Sequence, residues 1–147
     1  MGRNLPSLLI RVIVGLVFFT EGLLKFLQPG ELGAGRFAHI GLPIPHLLAP
    51  FVGAVETLGG LALIFNLYAG DAALALLLVI STAIVTTKLP ILLGHSLWHF
   101  GAPKLNHYGV LSFIHESRTD LCMFFGCTAI LIENGLKLVK KKKWYAR

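Results

Sequence analysis

The sequence predicts an all-α fold, a bundle of four transmembrane helices with both the N- and the C-terminus in the cytoplasm. The first observation is composition: 55% of the 147 residues are hydrophobic and only 14% are charged, whereas soluble domains carry about 25% charged residues. The second is arrangement, because charge is sparse in four long apolar runs. The third is a basic C-terminal tail, residues 140–147, which is typical of the cytoplasmic flank of a membrane span.

The four apolar runs divide a single membrane domain, residues 1–147, into four predicted spans. They cover about residues 5–27, 47–67, 71–94 and 119–139. Each is close to the ~20 residues that a helix needs to cross about 30 Å of hydrocarbon. Helices are expected because every backbone polar group in lipid must be satisfied within its own segment.

The first span begins near an arginine and could be mistaken for a signal peptide. Arg11, Glu21 and Lys25 interrupt its apolar run, and no small-residue cleavage site follows, so we expect this span to be retained. Pro29 and Gly30 end it. A Gly/Pro-rich loop leads to the second span, and a tight turn at 69–71 makes the second and third spans an antiparallel hairpin.

The loop predicted at 95–116 contains four of the six histidines, His95, His99, His107 and His115. Two histidines four residues apart on a helix can bind a metal. However, the loop is rich in glycine and proline, there is no HExxH pattern, and the two cysteines are distant. The sequence therefore predicts no metal site.

The basic excess lies mostly in the C-terminal tail of a chain with a net charge of +6. That position indicates a lipid surface, so we expect no nucleic-acid partner and a multi-pass location in the inner, cytoplasmic membrane. The sequence contains no GxSxG, P-loop or dinucleotide fingerprint. It marks no nucleophile, and whether the protein is an enzyme stays open.

Charged residues inside the predicted spans are the main functional signal. Glu21, Lys25, Glu56, Lys88 and Asp120 lie in the spans. Five unpaired charges would cost on the order of 12–18 kcal/mol, which rivals the whole stability of a domain, about 5–15 kcal/mol. We therefore expect them to pair or to face an internal cavity in the outer half of the bundle.

Helical spacing also indicates that these charged residues face one another inside the bundle. Glu21 is placed for an i,i+4 pair with Lys25, Glu116 lies one turn above Asp120, and Pro90 is expected to kink the third span near Lys88. The glycine-bearing faces of the first two spans allow another helix to approach closely. The ligand-binding or proton-relay candidates are Glu21, Lys25, Glu56, Lys88, Glu116 and Asp120. Arg11 and Glu133 are expected to form an ordinary pair at the cytoplasmic end or to reach the interface separately.

Several residues of the first two spans also occur in a familiar order. They are Arg11, Gly15, Gly22 and Lys25, then Gly-Leu-Pro-Ile-Pro at 41–45, then Glu56, Gly59 and Gly60. This order resembles the DoxX family of small bacterial and archaeal membrane proteins, over about residues 5–70. The resemblance implies a four-helix membrane bundle associated with redox complexes, and an acidic residue of the last span that corresponds to Glu116 or Asp120. Lys88 and the histidine-rich loop are less typical of the family.

Three functional hypotheses remain. In the first, a redox-associated membrane protein binds quinone or a similar small molecule in the charged pocket, with Glu21–Lys25 and Glu56–Lys88 orienting polar oxygens or relaying protons. In the second, the chain is an accessory or assembly subunit of a larger membrane complex, its charges fix helix register, and its glycine faces pack partner helices. The third, a small proton-coupled carrier, ranks last because it requires oligomerisation and no inverted repeat is visible.

Overall fold

A computed structural model of the chain describes residues 5–96, 100 and 104–145, with side chains described as far as residue 135. No β-strand occurs in this part of the chain, as the all-α prediction requires. The helices are α1 (Leu5–Leu27), α2 (Ala34–Ile40), α3 (Pro45–Ile64), α4 (Ala69–Ala83), α5 (Leu89–Leu93) and α6 (Val110–Tyr145). A π-helical turn, Ile84–Lys88, joins α4 to α5.

Three segments of the described chain are long and apolar enough to cross a membrane. They are α1, α3 and the continuous stretch Ala69–Leu93, with mean hydropathies of 2.0, 1.8 and 2.1. These three candidate spans overlap the first three predicted spans, with ends that differ by up to three residues. The fourth predicted span lies in α6, whose side chains are described only to residue 135, so it stays a prediction, as does the cytoplasmic location of the two termini.

Three segments that were predicted as loops or turns are helical, and there the predictions were wrong. One is residues 69–71, the expected hairpin turn, which begin α4, while the turn itself lies at 65–68. The connection between α1 and α3 contains α2, which ends at Gly41 in a left-handed conformation (φ 92°). Residues 110–116 belong to α6, which starts directly after Gly109 (φ 119°). Hydropathy marked these residues as lying outside the membrane, but polarity does not prevent a helix from continuing into water.

Glycines allow α1 and α3 to pack with their backbones in close approach. A Cβ atom added at Gly60 would lie 2.6 Å from the carbonyl oxygen of Gly15, and one added at Gly22 would lie 2.6 Å from that of Gly53. Small residues at such a crossing are the usual means by which membrane helices pack tightly. The close helix approach that the glycines predicted therefore occurs within the chain, between α1 and α3, whereas the assembly-subunit hypothesis had these faces pack partner helices.

The core lies where the four long segments meet. α1 packs against α3 and α6, and α4 packs against the same two helices. The buried side chains at the centre include Phe18, Leu63, Leu76, Cys127 and Ile130. Many other apolar side chains point outward, such as Leu58 with 67% exposure, as expected where lipid replaces water.

The π-helical turn interrupts the third span immediately before Pro90. The N–H of Leu89 donates to the carbonyl of Ile84, five residues earlier. Pro90 has no N–H with which to continue a regular α-helical ladder. The Thr86 and Thr87 hydroxyls donate to the carbonyls of Thr82 and Ala83, at 2.8 and 2.7 Å. Such turns occur often at functional sites, and this one ends at Lys88.

Candidate functional site

A cavity of about 490 Å³ lies among α1, α2, α3, α6 and the third span. It is lined by all six residues that the sequence singled out: Glu21, Lys25, Glu56, Lys88, Glu116 and Asp120. Residues up to 99 positions apart in the sequence therefore face one space. Its volume lies within the range of about 300–1,000 Å³ that is usual for small-molecule sites.

Lys25 and Glu56 form an ion pair across the α1–α3 contact. Lys25 Nζ lies 2.5 Å from Glu56 Oε2, and the two side chains are only 11% and 7% exposed. Gly22 and Gly53 bring the two backbones close enough for this contact. Since side chains lean toward the N-terminus of their own helix, the Lys25 side chain extends toward the deeper level of Glu56.

A second ion pair joins the third span to α6. Lys88 Nζ lies 3.5 Å from Asp120 Oδ2, and the side chains are 16% and 24% exposed. Lys88 is the last residue of the π-helical turn, and Asp120 lies in α6. The longer distance and greater exposure make this pair looser than the first.

The expected pairings Glu21–Lys25 and Glu56–Lys88 were wrong. Lys25 does contact the backbone carbonyl of Glu21, at 3.5 Å, but its ammonium group lies much closer to the Glu56 carboxylate. Glu56 is buried and Glu21 is exposed. An uncompensated buried carboxylate costs far more than an exposed one, so the cross-helix pair is favoured over the pair within α1.

Three further charged residues line the cavity without an ion-pair partner in the described part of the chain. They are Glu21, Arg36 and Glu116, and all three are exposed. Together with the two pairs, they give the cavity three cationic and four anionic side chains. The paired charges are therefore the less exposed ones, while the charges without an ion-pair partner lie where the cavity meets its surroundings.

Arg36 is the charged residue of the cavity that the sequence analysis did not include. It lies on α2, in a segment that was expected to be an irregular outer loop. Its neighbour Phe37 is buried and also lines the cavity. An isolated arginine in a Gly/Pro-rich loop carries no signal of this position, because only the α2 helix and its packing against α3 place it there.

The rest of the lining is largely apolar, with hydroxyl groups on one side. Phe18, Phe51, Leu78 and Met123 contribute apolar surface, while Thr82, Thr86 and Thr87 come from the third span. The cavity thus combines an apolar wall with a few convergent charged groups, as small-molecule sites commonly do.

Other polar residues lie away from this cavity. Arg11 is 9% exposed and donates from Nη1 to Asn66 Oδ1, while Ser7 donates to Glu133. The Nε atom of Arg11 is buried and has no hydrogen-bond partner among the described residues.

The histidines of the segment 95–115 that the structure describes also lie away from the cavity. His115 contacts Arg118 at 3.2 Å, and His95 bonds to the Ser96 carbonyl at 3.0 Å. His99 lies outside the described residues.

Comparisons with known proteins assign the chain to a family. The sequence profile of the DoxX family matches residues 7–89, which include Glu21, Lys25, Glu56 and Lys88 but not Glu116 or Asp120. An uncharacterized membrane protein of Mycobacterium tuberculosis is 39% identical over 127 residues, which is 86% of this chain and 74% of that protein.

A Bacillus subtilis protein that carries the name "putative oxidoreductase CatD" is 39% identical over 86 residues, which is 58% of this chain and 62% of that protein. No solved structure matches the chain. The profile covers more than half of the sequence, and the mycobacterial relative is aligned over most of both lengths. Together with the apolar helices, these matches show that the chain is a multi-pass membrane protein that belongs to the DoxX family.

Proposed function

We propose that the charged cavity binds quinone or a chemically similar small molecule, and that the protein takes part in redox chemistry of the cytoplasmic membrane. In this proposal both termini are cytoplasmic and the cavity lies in the outer half of the bilayer. One observation supports it most strongly. Two ion pairs, one buried and one partly buried, line a cavity that also has an apolar wall and three charged residues without an ion-pair partner in the described part of the chain.

The chemistry of the lining suits a quinone headgroup. Its flat ring is apolar and matches Phe18, Phe51 and Met123. Its two carbonyl oxygens accept hydrogen bonds, for which Lys25, Lys88 and Arg36 carry donors. Reduction of a quinone to a quinol takes up two electrons and two protons, and carboxylates near the ring are groups that can relay protons. The printed name of the Bacillus relative is consistent with a redox role.

The second candidate is an accessory or assembly subunit in which the ion pairs only fix helix register. Polar groups within a membrane bundle can serve packing alone. A purely structural pair does not require an adjacent cavity, however, and here the unpaired Glu21, Arg36 and Glu116 line the same space. Purification in mild detergent tests the second candidate, because a chain that runs alone with no co-purifying protein argues against it.

Replacing Glu56 by glutamine tests the binding site. Glu56→Gln keeps the shape of the side chain and an oxygen that accepts a hydrogen bond from Lys25, but it removes the carboxylate charge. We expect the affinity for decylubiquinone to fall by about tenfold or more, measured by calorimetric titration of the protein in lipid nanodiscs. The helical circular dichroism spectrum should be unchanged.

Glu31→Gln is the matched control, since Glu31 is exposed and does not line the cavity. It should leave the affinity as in the wild type. If Glu56→Gln binds decylubiquinone as tightly as the wild type does, the cavity is not the binding site. If the wild type does not bind it at all, the proposed quinone function is wrong.

A further inference from the structure

The cavity has exposed lining residues of two chemical kinds, mostly on different helices. The exception is Thr82 of α4, which is exposed and lines the cavity, and whose hydroxyl donates to the Leu78 carbonyl at 2.9 Å. Phe51 of α3 and Leu78 of α4 are 64% and 63% exposed, although both line the cavity. A residue that faces an internal space and is also this exposed must lie at an opening of that space. These two residues therefore mark an apolar mouth.

The apolar mouth lies between α3 and α4, which separate with distance from their hairpin. Close to the hairpin the two helices pack tightly: Leu76 is fully buried, and a Cβ added at Gly59 would lie 3.0 Å from its side chain. Farther along, Val52 of α3 and Val79 of α4 both line the cavity. The cavity therefore occupies the space between the two helices on the far side of their contact.

The depth of this mouth places it in hydrocarbon. Phe51 lies six residues after Pro45, the first residue of α3, which is about 9 Å along the helix axis. Leu78 lies nine residues after Ala69, the first residue of α4, or about 14 Å from the opposite end. Both positions fall well inside a bilayer core of about 30 Å.

The exposed lining residues on the other helices are polar. Glu21 of α1, Arg36 of α2, and Glu116 and Thr119 of α6 line the cavity and are exposed. The ion pairs Lys25–Glu56 and Lys88–Asp120 also line the cavity, and their side chains are only 7–24% exposed. The cavity is thus amphipathic.

We propose that the mouth between Phe51 and Leu78 is a lateral portal that holds the hydrocarbon tail of a membrane-dissolved amphiphile whose polar head lies at the charged residues. This inference rests on the proposed function and restricts its ligand class: the ligand carries a long apolar chain and enters sideways from the bilayer. A mouth that opens to lipid offers no hydrogen-bond partners to a hydrated ligand. An alkyl or isoprenoid chain can enter it without loss, because its contacts with lipid are replaced by equally apolar contacts with the protein. Because the portal leads into the charged cavity, the polar head of the ligand lies at the charged residues and its apolar tail lies in the portal.

Obstructing the portal tests this inference. Leu78→Trp adds bulk at the mouth while remaining apolar on a lipid-facing position. Leu74→Trp is the matched control, because Leu74 lies one turn away on the same helix, is 50% exposed and does not line the cavity. The two probes are decylubiquinone and the tail-less 2,3-dimethoxy-5-methyl-1,4-benzoquinone, which have the same headgroup, titrated into each protein in nanodiscs.

We expect Leu78→Trp to weaken decylubiquinone binding by about tenfold or more and to leave the tail-less quinone within about twofold of wild type, because only the tail must pass the mouth. Leu74→Trp should change neither affinity. Equal weakening of both probes by Leu78→Trp, or no weakening of either, would overturn the portal while leaving the quinone site in place. A wild-type protein that binds neither probe overturns both proposals.

A second measurement does not depend on obstruction. Tryptophan placed at the mouth by Phe51→Trp should be quenched more by decylubiquinone with a bromine in its tail than by the unbrominated compound. Tryptophan placed elsewhere on the lipid face of α3 by Leu58→Trp, a position that is 67% exposed and outside the cavity, should show no such difference. Equal responses at the two positions contradict a tail in the portal.

Discussion

The side chains of Lys25 and Glu56 are nearly inaccessible to solvent, and their charged atoms lie 2.5 Å apart. Each charge therefore offsets the energetic cost of burying the other inside the membrane. The cost of an isolated charge within a membrane span singled out five of the six candidate residues in the sequence, and helical spacing from Asp120 added Glu116. Which lysine pairs with which carboxylate could not be predicted from that cost. Spacing along one helix favours Glu21 for Lys25, whereas the selection of Glu56 depends on which helix packs beside α1 and how deeply each carboxylate is buried.

A double-mutant cycle at this pair separates its structural role from its role in binding. Lys25→Met or Glu56→Met alone leaves one buried charge uncompensated and should lower the free energy of unfolding by about 3–5 kcal/mol. The double substitution removes both charges and should recover most of that loss. Thermal unfolding in detergent, followed by tryptophan fluorescence, gives the stabilities.

Decylubiquinone binding by the double variant then decides between the two roles. A ligand site requires the stable double variant to bind at least about tenfold more weakly than the wild type does. A double variant that is stable and binds normally indicates that the pair only holds α1 to α3.

At the scale of the helices, glycine contacts position the site by setting the distance between α1 and α3. The α1 and α3 faces that carry these glycines are buried: Gly15 and Gly22 on one helix, Gly53 and Gly60 on the other. Their spacing was visible in the sequence, and so were three of the spans. The short helix α2, which places Arg36 at the cavity, was not predictable, because a seven-residue helix in a Gly/Pro-rich segment depends on packing rather than on apolar periodicity.

Gly60→Ala tests the close approach of α1 and α3. The added Cβ would lie 2.6 Å from both the Gly15 carbonyl oxygen and the Phe19 nitrogen, and these backbone atoms can move only with their helix. We expect a loss of about 1–3 kcal/mol of stability, measured by thermal unfolding, together with weaker quinone binding because Lys25 and Glu56 move apart.

Gly135→Ala is the corresponding control, because a Cβ at Gly135 meets nothing within 4 Å. Alanine is the better helix former by about 1 kcal/mol, so this variant should be as stable as the wild type or slightly more stable. If the two alanine variants behave alike, the glycine contact does not determine the helix distance.

At the scale of the whole molecule, the chain forms a bundle whose charged cavity opens past polar residues on one side and past an apolar mouth on another. The tight α3–α4 hairpin lies at one end of the bundle, next to the buried core around Leu76 and Cys127. The cavity, with its polar rim and its apolar mouth, occupies the opposite half. The sequence predicted that the charged residues pair or face an internal cavity, and the structure shows both. The volume of the cavity and its openings were not predictable, because an internal space depends on how far the helices separate.

The most direct test of the ligand-binding account is a density map of the protein purified from its native membrane. The account predicts elongated non-protein density in the cavity, with its polar end within hydrogen-bond reach, about 3 Å, of Lys25, Arg36 or Lys88. A map in which the cavity contains no such density, and a neighbouring chain packs over its charged rim, would contradict the account and favour an assembly subunit.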